Sequence, residues 1–214
     1  AGEIDRAFHV AEAADAGAVL VESFIPGEDF RLVLIDGRLV AAARRIPAHV
    51  VGDGLHTVEE LVAVLNSDPC RGSVDIDDLV RIVLDEEADR VLARDGHDRA
   101  SVPAPGETVF LRATANISTG GTAEDVLERV HPAVRQLAEV VARAFRLEII
   151  GIDYLAPDIS RPPDEVGGTI CEVNRSPGLR PHAEPPSIRA GIFDALLDRY
   201  FGSRGTGRIP IAVI

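Results

Sequence analysis

The strongest constraint on the fold is a pair of short apolar segments, residues 30–35 and 38–44, separated by Asp36-Gly37. Asp-Gly between two strand-like segments is the commonest kind of two-residue β-hairpin turn. The spacing therefore predicts two adjacent antiparallel strands, at which the chain doubles back.

Four further segments have the composition of strands. Residues 18–25 are too apolar and too rich in β-branched side chains for a solvated helix, and they end at Pro26-Gly27. They are predicted to form a buried strand. The other three strand-like segments are residues 108–113, 149–155 and 168–174.

Helical spacing of apolar residues predicts five helices. One follows Gly52-Asp53-Gly54 and begins at Thr57, where Glu60 completes a capping box; Leu61, Val62 and Leu65 form its buried stripe. The other predicted helices span residues 3–16, 77–94, 132–146 and 187–200, the second of these with Asp85, Glu86 and Glu87 directed outward. The order of elements predicts an α+β fold whose main antiparallel sheet is covered by helices on one face.

Composition excludes several classes of function. The chain of 214 residues carries 22 Arg and no Lys against 35 Asp and Glu, for a net charge of -13, which disfavours nucleic-acid binding. No apolar run is long enough to span a membrane, and no signal peptide is recognisable. Cys70 and Cys171 are expected to be reduced thiols in a cytoplasmic protein.

Two strand-like segments carry polar residues that point to a metal. Glu172 and Asn174 are two apart and so share a face of their strand, while Cys171 and Val173 are expected to face the core. If this strand pairs with the one before it, Asp153 lies across from Glu172. Two carboxylates and an amide suit Mg²⁺ rather than zinc. The alternative is a row of polar residues on a solvated sheet face.

The arrangement of Asp153, Glu172 and Asn174 resembles that of the ATP-grasp superfamily, whose ligases bind two Mg²⁺ with an Asp on one strand and Glu-x-Asn on the next. The resemblance narrows to the ATP-grasp part of the cyanophycin synthetase family. It runs from near residue 19 to the end, in the family's order, through residues 21–27, 29–31, 44–50, 52–54, 115–121 and 172–180.

The resemblance implies an ATP- and Mg²⁺-dependent carboxylate–amine ligase. A peptide carboxylate is activated as an acyl phosphate, and an amine then displaces phosphate to form an amide. In this family the ATP-grasp half adds aspartate to a poly-aspartate primer. ATP, two Mg²⁺ ions, an amino acid and a peptide primer are therefore the expected cofactors and partners, and a homo-oligomer is left open.

The resemblance also implies a nucleotide-binding hinge. Glu22, Ser23, Phe24 and Ile25 would meet the adenine, mostly through backbone groups, and Asp29 would accept hydrogen bonds from the ribose. On the residues alone, an ordinary strand that ends in a Pro-Gly turn explains the hinge segment better.

Three residues are expected to act at the reacting groups: Arg31, Asn116 and Arg175. Arg31 offers a planar charged fork for a phosphate or acyl phosphate, although a surface ion pair with Asp29 is nearly as good an explanation. Further phosphate- and substrate-binding candidates are Arg44, Arg45, His49, Ser118, Gly120, Gly121, Ser176, Gly178 and Arg180. A flexible loop at 116–122 and solvated hairpin arginines are the alternatives.

The sequence departs from the family in places. The family usually carries Lys where Ser23 stands, and a basic or amide residue at Ala113 and Thr114. The resemblance implies that the lobe which precedes the hinge in the family lies outside these residues, and residues 208–213 resemble a junction to a second, Mur-ligase-like half.

We therefore expect residues 1–214 to be one partial ATP-grasp domain, made of a hinge, a C-terminal lobe and an inserted helical segment at about 47–100. Alone it is expected not to catalyse ligation. Two other functions stay open: a different ligase on the same scaffold, glutathione-synthetase-like or glutamate-adding, and a non-catalytic module that binds nucleotide weakly.

Overall fold

The computed structural model describes residues 2–14, 18–72, 79–179 and 186–202, with the side chains of residues 3, 14 and 186–190 left aside. The strands are β1 (Glu28–Ile35), β2 (Arg38–Ile46), β3 (His49–Val51), β4 (Arg71–Gly72), β5 (Leu79–Val80), β6 (Thr108–Phe110), β7 (Thr122–Asp125), β8 (Ile149–Ala156) and β9 (Thr169–Asn174). The helices are α1 (Gly2–Ala14), α2 (Val58–Asn66), α3 (Glu86–Arg94), α4 (Pro132–Phe145), α5 (Pro163–Val166) and α6 (Pro186–Phe201).

A five-stranded sheet in the order β7-β2-β1-β8-β9 forms the centre of the fold, and all of its neighbouring strands are antiparallel. The predicted hairpin is confirmed as β1 and β2. Asp36 and Gly37 both have positive φ, 49° and 72°, which fits the tight turn that the Asp-Gly pair predicts. The α+β prediction is also confirmed.

The main core lies on one face of this sheet. Phe30, Leu32 and Leu34 of β1 point to it together with Ile152 and Tyr154 of β8, and all five side chains are fully buried. Val134, Ala138 and Ala142 of α4 cover them. Residues two apart on a strand share a face, so the alternate residues of these strands are left for the opposite face.

Helix α6 packs on that opposite face, where Ile192 contacts the buried side chains of Val33, Ile35 and Ala41. The expectation that helices cover only one face is therefore wrong. The helix lies over one end of the strands, because their alternate residues are apolar there and charged at the other end. The charged end is left open to solvent.

Residues 48–111 build a second, smaller core. Strands β3 and β6 pair with each other, and Val50, Val58, Leu92 and Leu111 are buried between them and helices α2 and α3. The predicted capping box at Thr57 and Glu60 is confirmed, with both reciprocal hydrogen bonds present. These residues thus pack around a core of their own beside the main sheet, and the inserted segment at about 47–100 stays a prediction.

The helix predicted over residues 77–94 begins much later, at Glu86. Leu79 and Val80 form β5 instead, and Asp85 is the N-cap, its side chain accepting hydrogen bonds from the amides of Glu87 and Ala88. Acidic side chains stabilise the positive N-terminus of a helix. The acidic run therefore marks the start of the helix, and its three side chains are exposed as predicted.

The buried strand predicted at residues 18–25 is not formed. This segment is irregular, and its apolar side chains are exposed, Leu20 by 79% and Phe24 by 90%. A strand needs a hydrogen-bonding neighbour and a buried strand needs a cover as well. The described residues supply neither to this segment.

The other predicted elements are confirmed within a few residues of their expected ends, except that β6 stops at Phe110 rather than at residue 113. Beyond it, the amide of Leu111 still donates to the carbonyl oxygen of Ala48, and the Arg112 side chain donates to the carbonyl oxygens of Leu111 and Val83. None of the described helices combines the length and the apolar character that crossing a bilayer requires.

Candidate functional site

A cleft of about 1120 Å³ lies over the charged end of the main sheet. Its walls come from the ends of β1, β2, β8 and β9, from the segment before β1, and from the β3–β6 pair. The predicted site residues that line it are Phe24, Ile25, Asp29, Arg31, Arg44, Arg45, His49, Asn116, Asp153, Glu172, Asn174, Ser176 and Gly178. Residues far apart in the sequence thus meet in one place.

The two carboxylates at the bottom of the cleft face each other across adjacent strands. In the β8–β9 pair Asp153 is the register partner of Glu172, and Gly151 is the partner of Asn174. The sequence predicted this pairing, and the register confirms it. The side chains of Asp153, Glu172 and Asn174 all border the cleft.

The register shifts by one residue beside Asp153, because β9 has an extra residue, Cys171, at this point. Such a β-bulge sets two residues of one strand opposite one residue of its neighbour. Cys171 is therefore exposed, and the expectation that it faces the core is wrong. Val173, beyond the bulge, packs against the main core as predicted.

Two arginines hold the Asp153 carboxylate. Arg31 Nε lies 2.5 Å from Oδ1, and Arg31 Nη2 donates to Oδ2 at 3.2 Å. Arg45 Nη2 donates to the same Oδ2 at 3.0 Å, and Arg45 also donates to Asp29 Oδ1 through Nη2 at 2.6 Å and Nε at 2.9 Å. The four side chains form a continuous row, Arg31–Asp153–Arg45–Asp29, that crosses β8, β1 and β2.

Burial and charge act against each other within this row. Burial raises the pKa of Asp29 above its ordinary value, and the hydrogen bond and charge of Arg45 only partly offset it. Burial alone would lower the pKa of Arg45, but the hydrogen bonds and charges of Asp29 and Asp153 outweigh that effect and raise it. Arg45 is therefore a fixed positive charge between two carboxylates.

The donor set fits Mg²⁺ in the way that nucleotide-binding sites hold it. Within the described ranges the side chains of Glu172 and Asn174 have no hydrogen-bond or ion-pair partner, and Asp153 Oδ1 is contacted by Arg31 Nε. The same ranges contain no cluster of three or more His, Cys, Asp or Glu that could hold a metal. Mg²⁺ commonly takes one or two carboxylates and completes its shell with water and phosphate oxygens, which two carboxylates and an amide would allow.

Arg44 and Arg45, which the sequence grouped as one basic patch, are separated by the alternation of β2. Arg45 faces the Asp153 row, whereas Arg44 forms ion pairs with Glu28, at 2.5 Å, and with Glu124, at 2.7 Å. The Arg44 guanidinium thus has two carboxylate partners of its own. Arg45 is the member of the pair placed at the carboxylates of the cleft.

His49 and Phe110 form the wall of the cleft opposite the sheet. They are register partners in the β3–β6 pair, and their ring centroids lie 5.9 Å apart. His49 Nδ1 donates to the carbonyl oxygen of Pro47 at 2.9 Å, which leaves Nε2 for another group. The sequence reasoning missed Phe110, whose signal was an aromatic residue alternating with the buried Val109 on a short strand.

The small residues at 116–121 form a loop that is closed by its own backbone hydrogen bonds. Gly120 N–H donates to the carbonyl of Ile117 and Gly121 N–H to that of Asn116, so these two amides are not exposed donors. A Cβ on Gly121 would come within 2.7 Å of the Asn116 carbonyl oxygen. Close packing therefore explains this glycine, and Asn116 is the residue of the loop that borders the cleft.

The remaining predicted residues do not meet in the cleft. Glu22, Ser23, Ser118 and Arg175 are exposed and are not among its lining residues. Arg180 lies outside the described residues. Their roles stay predictions. Ala113 and Thr114, where the sequence departs from the expected pattern, do line the cleft.

A scan against models of protein families gives no match. Individual proteins do match over most of the chain. Cyanophycin synthetase from Crocosphaera subtropica is 42% identical over 214 residues, which is 99% of this chain and 24% of that protein. Cyanophycin synthetase from Nostoc sp. is also 42% identical, over 96% of this chain and 24% of its own length.

A second group of relatives makes glutathione. The glutathione biosynthesis bifunctional protein GshAB from Clostridium perfringens is 34% identical over 86% of this chain and 23% of that protein. Among solved structures, a bifunctional glutathione synthetase from Pasteurella multocida superposes with a TM-score of 0.69 and 31% identity, over 82% of this chain and 25% of that one.

The antiparallel sheet, the facing carboxylates and these matches together define the class: the chain has the ATP-grasp fold. Its sequence is similar to one segment of cyanophycin synthetase, at 42% identity over nearly the whole chain. It spans about a quarter of the length of the curated relatives that it matches.

Proposed function

We propose that this chain is the segment of an ATP- and Mg²⁺-dependent carboxylate–amine ligase, of the cyanophycin synthetase kind, that binds the metal and the reacting groups. One observation carries the proposal. Asp153 faces Glu172 across two strands, in a cleft where two arginines converge on the same carboxylate. A merely solvated row of polar residues, the alternative from the sequence, does not account for the arginines or for the burial of Asp153, which is 7% exposed.

Asp153, Glu172 and Asn174 are the residues that would hold Mg²⁺. When bound, the metal supplies charge neutralisation for the triphosphate and so makes the γ-phosphorus more open to attack. The facing strands fix the two carboxylates before any ligand arrives. Such preorganisation lowers the cost of assembling the site.

Arg31 and Arg45 are the anion-binding groups. Each now donates to Asp153, so the negative charge of that carboxylate is more than balanced. Their planar forks would suit a phosphoryl or carboxylate group bound beside this carboxylate. Asp29 keeps Arg45 in place, because it accepts from Nε as well as Nη2.

The reaction that this arrangement supports has two steps. An oxygen of the substrate carboxylate forms a bond to the γ-phosphorus of ATP, and the bond from that phosphorus to ADP breaks. The nitrogen of an amine then forms a bond to the acyl carbon, inorganic phosphate leaves with the C–O bonding pair, and the amine loses a proton. Arg31 and Arg45 would stabilise the charge that moves through these steps.

We assign aspartate as the added amino acid and a peptide as the primer. The support is the 42% identity to cyanophycin synthetases over nearly the whole chain. A second candidate, a glutathione-synthetase-like ligase, is favoured by the match to a solved glutathione synthetase. Ala113 and Thr114 in the cleft lining leave room for such a difference in substrate.

Amine competition separates the two candidates. The full-length protein is supplied with Mg-ATP and a poly-aspartate primer, and phosphate release is followed with aspartate, glutamate or glycine as the amine. The proposal predicts aspartate-dependent release that falls at least about tenfold in Arg45→Gln, since a transition-state contact is removed. Phosphate release that requires glycine and a dipeptide instead would establish the second candidate. The absence of phosphate release with all three amines would refute both candidates.

The isolated chain is expected not to catalyse ligation. Its segment 18–26 is irregular, and Leu20, Val21 and Phe24 are exposed where the resemblance places an adenine-binding hinge. Steady release of ADP by residues 1–214 alone, in the presence of aspartate and primer, would refute this expectation.

A further inference from the structure

His49 places an imidazole in the wall of the cleft that lies opposite the Asp153 row. The residue is half-buried, and its ring contacts that of Phe110 on the neighbouring strand. On its other side, Nδ1 lies 2.9 Å from the carbonyl oxygen of Pro47. These two contacts hold the orientation of the ring.

The contact with Pro47 decides which tautomer the ring of His49 adopts. A carbonyl oxygen can only accept a hydrogen bond, so Nδ1 carries the hydrogen. In the neutral imidazole the lone pair then belongs to Nε2, which is a proton acceptor. The backbone partner of one ring nitrogen therefore sets the chemistry of the other.

The other titratable groups of the cleft are poorly suited to take up a proton. Among the described residues that line the cleft they are Glu28, Asp29, Arg31, Arg44, Arg45, Asp153 and Glu172. The arginines stay protonated at physiological pH. The carboxylates on β1 and β8 are paired with arginines, and Glu172 belongs to the proposed metal site. Imidazole is the side chain most often used for proton exchange near neutral pH.

The amine step of the proposed reaction needs a proton acceptor. At neutral pH the amine of a free amino acid is mostly an ammonium ion, which has no electron pair for an attack on the acyl carbon. One proton must therefore leave the nitrogen before the new bond can form. A base in the wall of the cleft can receive it there.

We propose that His49 is the general base of the amine step, a role that rests on the proposed ligase function. Nε2 forms a bond to one proton of the ammonium, and the electrons of the broken N–H bond become the lone pair that attacks the acyl carbon. Inorganic phosphate leaves with the C–O bonding pair and takes a second proton from the nitrogen, as hydrogen phosphate. The imidazolium then releases its proton to solvent.

Two nucleophiles separate this step from the activation of the carboxylate, in the full-length protein with Mg-ATP and a poly-aspartate primer. Aspartate needs the base, whereas hydroxylamine is largely uncharged at neutral pH and converts an acyl phosphate to a hydroxamate without one. His49→Asn should lower the ligation of aspartate at least about 100-fold and leave hydroxamate formation within about threefold of the wild-type rate. The asparagine amide can still donate to the carbonyl of Pro47.

His131→Asn is the matched control, because asparagine at this N-cap can still accept from the amide of Ala133. Both rates should stay unchanged in it. Three results for His49→Asn would overturn the proposal: an unchanged rate of ligation, a rise in KM for aspartate at an unchanged kcat, or equal losses of ligation and hydroxamate formation. Absence of hydroxamate from the wild-type protein would instead refute the proposed ligase function and, with it, the role of His49.

Discussion

The two faces of the main sheet are built from the same strands but differ in character: one forms the buried core, and the other carries the charged cleft. Along β1 and β8 the even-numbered residues, such as Phe30 and Tyr154, are buried against α4. At the end of the sheet where Asp29, Arg31 and Asp153 lie, the odd-numbered residues form the charged wall of the cleft. Because successive side chains of a strand point to opposite faces, residues that stabilise the core alternate here with residues that line the cleft.

The largest effect on stability is expected on the core face. Phe30→Ala removes a fully buried ring that lies 6.4 Å from that of Tyr154, and it should lower the free energy of unfolding by about 3–5 kcal/mol. Urea denaturation of the chain measures it. Phe24→Ala, at a position 90% exposed, is the matched control and should change stability by less than about 0.5 kcal/mol. Similar losses in both variants would contradict the assignment of faces.

A smaller loss is expected from the cleft face. Asp153→Asn deprives Arg31 and Arg45 of the carboxylate that they share, which should cost about 1–3 kcal/mol of unfolding free energy. A double-mutant cycle with Arg45→Gln checks the coupling, because residues in direct contact are not additive. Strictly additive effects would mean that the row of charges does not exist in solution.

Glu172→Gln sharpens the comparison further, because its side chain has no partner among the residues that the structure describes. Stability should change by less than about 0.5 kcal/mol, yet Mg²⁺-dependent nucleotide binding should weaken at least about tenfold. Denaturation and calorimetry on the same variant measure the two effects. A stability loss as large as that of Asp153→Asn would show that Glu172 serves the fold.

The smallest effect is expected outside both faces, at the exposed pair of Asp53 and His56. A hydrogen bond between the two side chains raises the pKa of His56 and holds that of Asp53 well below its usual range. The pair therefore stabilises the loop between about pH 4 and 6.5, the ordinary values of the two groups. This contribution declines as pH falls through the folded pKa of Asp53 or rises through that of His56.

Asp53→Asn isolates the charge in this pair, because the amide oxygen can still accept from the amides of Leu55 and His56. Nuclear magnetic resonance titration of His56 should then give a pKa close to the ordinary value of histidine. An unchanged titration of His56 in the variant would contradict the pairing.

Local rules predicted the parts of the fold whose causes are local. The Asp36-Gly37 turn and the Thr57 capping box depend on a few neighbouring residues, and both are present. The segment at 18–25 shows the limit, because a strand exists only where another strand receives its hydrogen bonds. The late start of α3 was readable in principle, since Asp85 is a good N-cap and the acids after it favour a first turn.

The candidate site, too, could be predicted from the sequence only in part. Residues two apart on a strand had to share a face, so Glu172 and Asn174 were predictable together, and pairing brought Asp153 opposite them. The bulge at Cys171 was not predictable, because one extra residue in a strand does not change the amino-acid pattern recognisably. Nor did the sequence reveal that Arg31 and Arg45 share Asp153, since that contact depends on the register of three strands.

One measurement tests the central claim most directly: calorimetric titration of a non-hydrolysable ATP analogue into the full-length protein, with and without Mg²⁺. The wild-type protein is compared with the double variant Asp153→Asn, Glu172→Gln. We predict Mg²⁺-dependent binding that the double variant loses. Binding that is the same in both proteins, or absent from both, would mean that the facing carboxylates are only a polar surface of an ATP-grasp fold.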